Sequence, residues 1–294
     1  MKKWGLAYLL ALSLLFMAAA PVAAQEVITR PDTGRQKNHQ PGDAQTFINW
    51  TDHFIRAMGR GEIRNLGVSH KKPYHTLAKA RQNAYQNLLV TAKSIQLTPK
   101  LTVAEALKGK DEALAAFESL LKTAKPHQTE FLSTGPVEIA LKFPISGKFS
   151  EMVLPDSITR LEEIESGQPA AAADASEYTG LVVDARGLPL VPAMCFQVLD
   201  EDGKEVYGPA YASRENAVSV GMCQYLSNIA DIEKNARVGS HPLVVKGIKL
   251  QPPGASNIMI SGTDAARLRG SVEHLAFLKN CRVIVVMDVA FAEE

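Results

Sequence analysis

The chain predicts an α+β protein of two modules, each a small, mostly antiparallel sheet packed with helices, behind a cleaved signal peptide. Three observations predict it. Apolar residues recur at helical spacing, as at Leu77, Ala80, Ala84, Leu88 and Ile95. Elsewhere they alternate with polar or small residues at the period of a strand, as at Val137, Ile139, Leu141 and Phe143. A polar, acidic, Ala-rich stretch over 156–177, holding Glu162, Glu163, Glu165, Gly167 and Pro169, reads as a linker. It leaves a module on each side (44–155 and 178–290) of about 110 residues, a common domain size.

Lys2 and Lys3 precede an apolar run from Leu6 to Ala20, Pro21 breaks it, and Val22-Ala23-Ala24 supplies small residues for cleavage. That is the layout of a secretory leader over 1–24. The run is too short for the roughly 20 residues of a membrane-spanning helix. Residues 25–43, with Pro31, Gly34, Pro41 and Gly42, have no periodicity and read as a flexible N-terminus. The formal charge of +1 gives no electrostatic reason to seek nucleic acid or an anionic membrane. Export would place Cys195, Cys223 and Cys281 in an oxidising compartment. Their odd number and apolar neighbours favour buried small hydrophobes over one disulfide and a free thiol.

In the first module, Phe47–Trp50 and Phe54–Gly59 around Thr51-Asp52-His53 predict a hairpin. Gly59, Gly61 and Gly67 then mark a loop. A helix follows with Pro73 in its first turn and the Leu77–Ile95 stripe. Val103–Leu121 forms a second helical segment, and His127–Leu132 and Val137–Ile145 form two strands. The second module opens with a buried strand over Tyr178–Asp184 that ends in a turn at Asp184-Ala185-Arg186-Gly187. Phe196–Leu199 and Glu205–Tyr207 flank Asp202-Gly203, a strong hairpin signal. Residues 213–236 read as mainly helical, and Leu243–Leu250 and Ile258–Ile260 as strands. Thr263-Asp264 caps a helix with Leu268, Val272, Leu275 and Leu278 on one face, and Val283–Met287 is a strand buried on both faces.

Reactive constellations are scarce. His70 and His75 lie across Pro73 without the i,i+4 spacing of a zinc pair, and the seven histidines read as surface or loop residues. Asp200-Glu201-Asp202-Gly203 lacks the alternating ligands and closing Glu of a calcium loop. There is no phosphate loop and no nucleophile elbow. Arg56, Arg60, Arg64, Lys71 and Lys72 read as a solvated face. No cofactor or metal is expected.

The order Ile48-Asn-Trp50, Arg56-Ala-Met-Gly-Arg-Gly61, Ala78-Lys-Ala-Arg-Gln-Asn-Ala-Tyr-Gln-Asn-Leu88 and Leu101-Thr-Val103 resembles the small-membrane-lipoprotein-like domain of bacterial envelope proteins. It is also similar to the N-terminal domain of flagellar assembly protein T. The second module, with Tyr178–Gly187, Asp200–Gly203 and Phe277–Val283, resembles the C-terminal half of exported proteins that share that first domain. This chain has no lipid-attachment cysteine after its leader. The resemblance implies an envelope location and no catalytic motif, with Ala80 and Ala84 serving close packing of helix on sheet.

The expected function is therefore that of a non-catalytic periplasmic or outer-membrane-associated protein that binds other envelope proteins and supports flagellar or surface-structure assembly. The alternative is a small-ligand or peptidoglycan-associated binding module, with a groove around Asp184, Arg186 and Asp264.

Overall fold

The computed structural model describes residues 28–29, 46–62, 72–132, 136–158, 178–232, 235–252 and 254–288. The leader, most of the N-terminal segment and nearly all of the linker lie outside them, as do His70, Arg64 and Lys71.

The class is α+β, as expected. The first module runs β1 (Ile28–Thr29), β2 (Phe47–Asn49), β3 (Phe54–Gly61), α1 (Lys72–Ser94), β4 (Gln96–Thr98), β5 (Leu101–Thr102), α2 (Val103–Leu107), α3 (Asp111–Leu121), β6 (Lys125–Phe131), β7 (Val137–Pro144) and α4 (Lys148–Val153). Its main sheet has the order β1-β2-β3-β7-β6 and is antiparallel throughout. Two corrections arise here. The stretch expected to be flexible contributes β1, which pairs with β2. The single helical segment after Val103 is two helices parted at Lys108–Lys110, because Gly109 takes a φ of 76°.

The glycines after Met58 are a third correction. Gly59 and Gly61 belong to β3, not to a loop. A side chain at Gly59 would meet the backbone of Ala80 and Ala84 in α1. Both alanines are wholly buried, whereas Ala78 and Arg81 on the other side of the helix are exposed. The strand is glycine-rich because the helix axis passes so close over it, a use of glycine that turn rules do not anticipate.

The second module runs β8 (Leu181–Asp184), β9 (Val198–Leu199), β10 (Glu205–Tyr207), α5 (Arg214–Val220), β11 (Gln224–Leu226), a 3₁₀ turn (Ile229–Ile232), β12 (Leu243–Lys246), β13 (Lys249–Gln251), β14 (Asn257–Met259), α6 (Gly262–Arg269), α7 (Val272–Lys279) and β15 (Val283–Val286). It holds two four-stranded sheets, β10-β9-β14-β13 and β11-β15-β8-β12. The second of these is parallel at every pairing, which corrects the expectation of a mostly antiparallel sheet here. The physical reason is burial on both faces. Val183 and Val285 belong to the main core, while Val182, Ile284 and Val286 pack with Leu226, Ile232 and Val238 on the opposite side. Continuous apolar strands of this kind suit a parallel sheet.

Other local expectations yield to tertiary pairing. The mainly helical reading of 213–236 fails beyond Val220, where Gln224–Leu226 becomes an edge strand beside β15. Three residues are too few for periodicity to separate strand from helix. The run Leu243–Leu250 is two strands in different sheets, bent at Gly247, whose amide donates to Asp184 O. The last helix is two, each capped by a serine: Ser261, not Thr263, accepts from Asp264 N, and Ser271 accepts from Glu273 N.

The modules are sewn together. Thr51 Oγ1 donates to Tyr225 O at 2.9 Å, Gln224 Nε2 donates to Thr51 O at 3.1 Å, and Cys195 N donates to Leu97 O at 2.8 Å. Trp50 meets Tyr225 edge-on at 5.6 Å. Buried side chains of both modules run into one apolar cluster.

Candidate functional site

The turn between β2 and β3 drives His53 into the second module. His53 has a φ of 55°, a left-handed conformation uncommon for a residue with a side chain. The imidazole rests on Gly221, where a Cβ would lie 2.4 Å from its Cε1. Gly221 itself has a φ of 77°, so glycine is required there twice over. Beside the ring, Arg237 spreads its guanidinium over three carbonyls: Val220 O at 2.8 Å, Gly221 O at 2.6 Å and Cys281 O at 3.0 Å. Two of these are orphan acceptors at the end of α5, so the arginine caps that helix.

These groups line a cleft of about 650 Å³ at the module junction. Asn216, Asn235, Asn280 and Gln224 line it with side-chain amides, beside Arg237 and Arg282. Part of that wall is tied up internally: Asn235 Nδ2 donates to Gln224 Oε1 at 2.9 Å, and Asn216 Nδ2 donates to Ser213 Oγ at 2.8 Å. Such an amide-rich wall is suited to a neutral, hydrogen-bonding ligand.

His53 and the cysteines near the cleft are held away from neutral-pH chemistry. Burial, reinforced by the Arg237 charge, lowers the His53 pKa from 6.5 to about 4, so the ring is uncharged at pH 7. Burial pushes the Cys223 thiol up to about 12 and raises Cys281. Farther in, burial with the charge of Glu205 takes Cys195 to about 12 as well. Buried Tyr207 and Tyr225 are raised well above the usual phenol range by burial; they donate to Met222 O at 2.6 Å and Ala193 O at 2.9 Å. All three cysteines are buried and free, in keeping with their reading as small hydrophobes. The native protein should accordingly leave its thiols unlabelled by a water-soluble disulfide reagent and react fully in denaturant. Rapid labelling of even one thiol under native conditions would contradict this packing.

The histidine reading needs correction. His75, His127 and His241 are exposed, but His274 is buried and His53 is half-buried, with its Nε2 atom shut off from solvent. His274 Nδ1 lies 3.0 Å from Arg267 O, and its ring packs on Tyr178 and Phe277. Both pack against neighbours from distant parts of the chain, which no ligand spacing could reveal.

The residues expected to form a groove are placed as follows. Asp184 ends β8 and receives Arg186 Nε and Nη2, each at 2.8 Å, together with Arg186 N at 3.2 Å. The bond from Arg186 holds the Asp184 carboxyl below its usual range. Gly187, with a φ of 83°, completes the turn and donates to Asp288 Oδ2 at 2.6 Å. Asp264 sits in the first turn of α6, engaged by Ser261 Oγ at 2.8 Å and Arg267 Nη1 at 3.6 Å. The fold thus joins Asp184 to Arg186. Among the described residues no hydrogen bond or ion pair joins Asp264 to either.

Sequence reasoning missed the cleft. Its side chains come from five separated stretches of chain, and only the hairpin turn at Thr51-Asp52-His53 carried a local signal. No helix among the described residues is long and apolar enough to cross a membrane. No protein of curated function matches the chain. Residues 180–289 match the family model of the second domain of Treponema pallidum Tp0624, so the second module is similar to that bacterial domain.

Proposed function

We propose that this chain is a non-catalytic, exported envelope protein that works by docking other envelope proteins. One observation supports this reading above others: the histidine, the thiols and the Arg237 guanidinium around the junction cleft serve as structural parts. Arg237 caps α5, His53 is a half-buried neutral wedge, and the thiols are sealed in the core. Catalysis at neutral pH would ask for an accessible acid, base or nucleophile near its working pKa. The export element rests on the leader sequence at residues 1–24. Support of flagellar or surface-structure assembly rests on the resemblance carried by Ile48–Trp50, Arg56–Gly61 and Ala78–Leu88. Fractionation of the native protein, with swimming and envelope integrity scored in a deletion strain, tests both. Recovery of the intact precursor from the cell interior would sink the export reading. Normal motility with an unchanged envelope would sink the assembly role.

The second reading, a small-ligand or peptidoglycan-associated module, is favoured by the amide-lined cleft more than by the groove around Asp184, Arg186 and Asp264, whose charges are already paired. Calorimetric titration with soluble peptidoglycan fragments tests it. Binding lost in an Asn280→Ala variant supports the cleft, and binding lost only in Asp184→Asn supports the groove. No heat in either case removes this reading.

A further inference from the structure

His53 separates two hollows. On one side is the open junction cleft; on the other is an enclosed void of about 20 Å³, lined by Trp50, Ser150, Ala193, Cys223 and Tyr225 among others. Of the residues lining the two, His53 alone lines both. The void is walled mainly by apolar side chains, and two residues that line it carry buried polar atoms with no hydrogen-bond partner in the protein, Trp50 Nε1 and His53 Nε2. Buried polar atoms left in that condition are rare and costly.

The chemistry of the two atoms is complementary. The imidazole is hydrogen-bonded to the Cys223 carbonyl. A carbonyl only accepts, so the ring nitrogen facing it carries the proton. Since Nε2 has no partner, that nitrogen is Nδ1. His53 Nε2 is then a bare acceptor, and the indole N–H can only donate. The occupant must accept one hydrogen bond, donate another, carry no charge and fit a space of about 20 Å³. That volume exceeds the roughly 10–15 Å³ needed for one water. Ser150 Oγ, whose own hydrogen goes to Ile145 O at 2.6 Å, keeps lone pairs for the second hydrogen of a water, giving the roughly three bonds usual for a buried one.

We propose that the void behind His53 is a binding site for a single structural water, which accepts from the Trp50 indole and donates to His53 Nε2, with the imidazole ring as the wall between that water and the cleft. Exchange of the water with solvent then requires the ring to swing off Gly221. The site ties a residue of β2's end to the junction turn without any direct bond between them, and it explains why a histidine rather than an apolar residue occupies this turn.

The test is nuclear magnetic resonance of the full chain, with the indole signals of Trp50 and Trp4 told apart by a Trp4→Phe substitution. The Trp50 indole N–H should show a cross-relaxation peak to water of the sign given by a long-lived bound molecule, and slow hydrogen exchange. In His53→Ala the wall is gone, and indole exchange should accelerate by about tenfold or more, as expected when a protected site opens. A folded wild-type protein with no water peak at the Trp50 indole overturns the proposal, whatever the variant does. Equal exchange rates in wild type and a folded His53→Ala overturn the ring's role as the wall.

Discussion

Replacing Gly59 with alanine is expected to destabilise the first module by more than about 4 kcal/mol, the exceptional end of single substitutions. The added Cβ would lie 2.1 Å from Ala84 N and 2.2 Å from Ala80 O. Both are backbone atoms inside α1, so no side chain can rotate away. Relief requires lifting a 23-residue helix off β3, which exposes Ile55, Ala57 and Leu88 from the core. Gly61 makes the same demand at the other end of the contact, with a built Cβ 2.0 Å from Thr76 O. Gly203→Ala is the control. Its φ is 77° and nothing lies within 4 Å, so only backbone strain of about 1 kcal/mol is expected. Denaturant unfolding of the three proteins decides the matter. A Gly59→Ala variant within about 1 kcal/mol of wild type would show that helix and strand are not in this contact.

Acid should weaken the protein through His53 before its carboxylates matter. The folded protein holds this imidazole neutral, with its pKa lowered from 6.5 to about 4, because a charge there would be buried and would face Arg237. The unfolded chain has no such penalty and takes up the proton near pH 6.5. Between those values the unfolded state binds more protons, so stability is full above pH 6.5 and falls as pH drops toward 4. At roughly 1.4 kcal/mol per pH decade the loss amounts to about 3 kcal/mol. Asp52, on the same turn, opposes the shift and Arg237 favours it. His53→Gln, which cannot titrate, should be less stable at pH 7 but should lack this component. The quantity to measure is the wild-type minus variant unfolding free energy from pH 7.5 to 4. A difference that stays constant across that range would mean the fold does not hold His53 neutral.

Much of the local structure was legible in the residues themselves. The β2–β3 hairpin, the long helix after Pro73, the β6–β7 pair, the Asp202-Gly203 hairpin and the apolar final strand follow from periodicity and turn chemistry, which act within a few residues. Asp184-Ala185-Arg186-Gly187 was likewise readable as a turn, since its carboxylate caps the amide and guanidinium two residues on. Ala80 and Ala84 could be assigned to close packing, but their counterpart across the contact could not. Glycine in a strand and glycine in a loop look alike until the helix above the strand is in place.

What the chain alone determined is the α+β class, most elements, and the absence of any familiar catalytic spacing. Tertiary structure alone decided which strands run parallel, that Gln224–Leu226 is a strand, and that the His53 ring packs on Gly221. Strand direction depends on where a distant segment returns to the sheet, and β8 joins β15 about a hundred residues later. The seat of His53 depends on Gly221 leaving room for its ring. Such effects act between residues far apart in sequence, where a side chain's partner, its solvent and its charge state are all set by the fold.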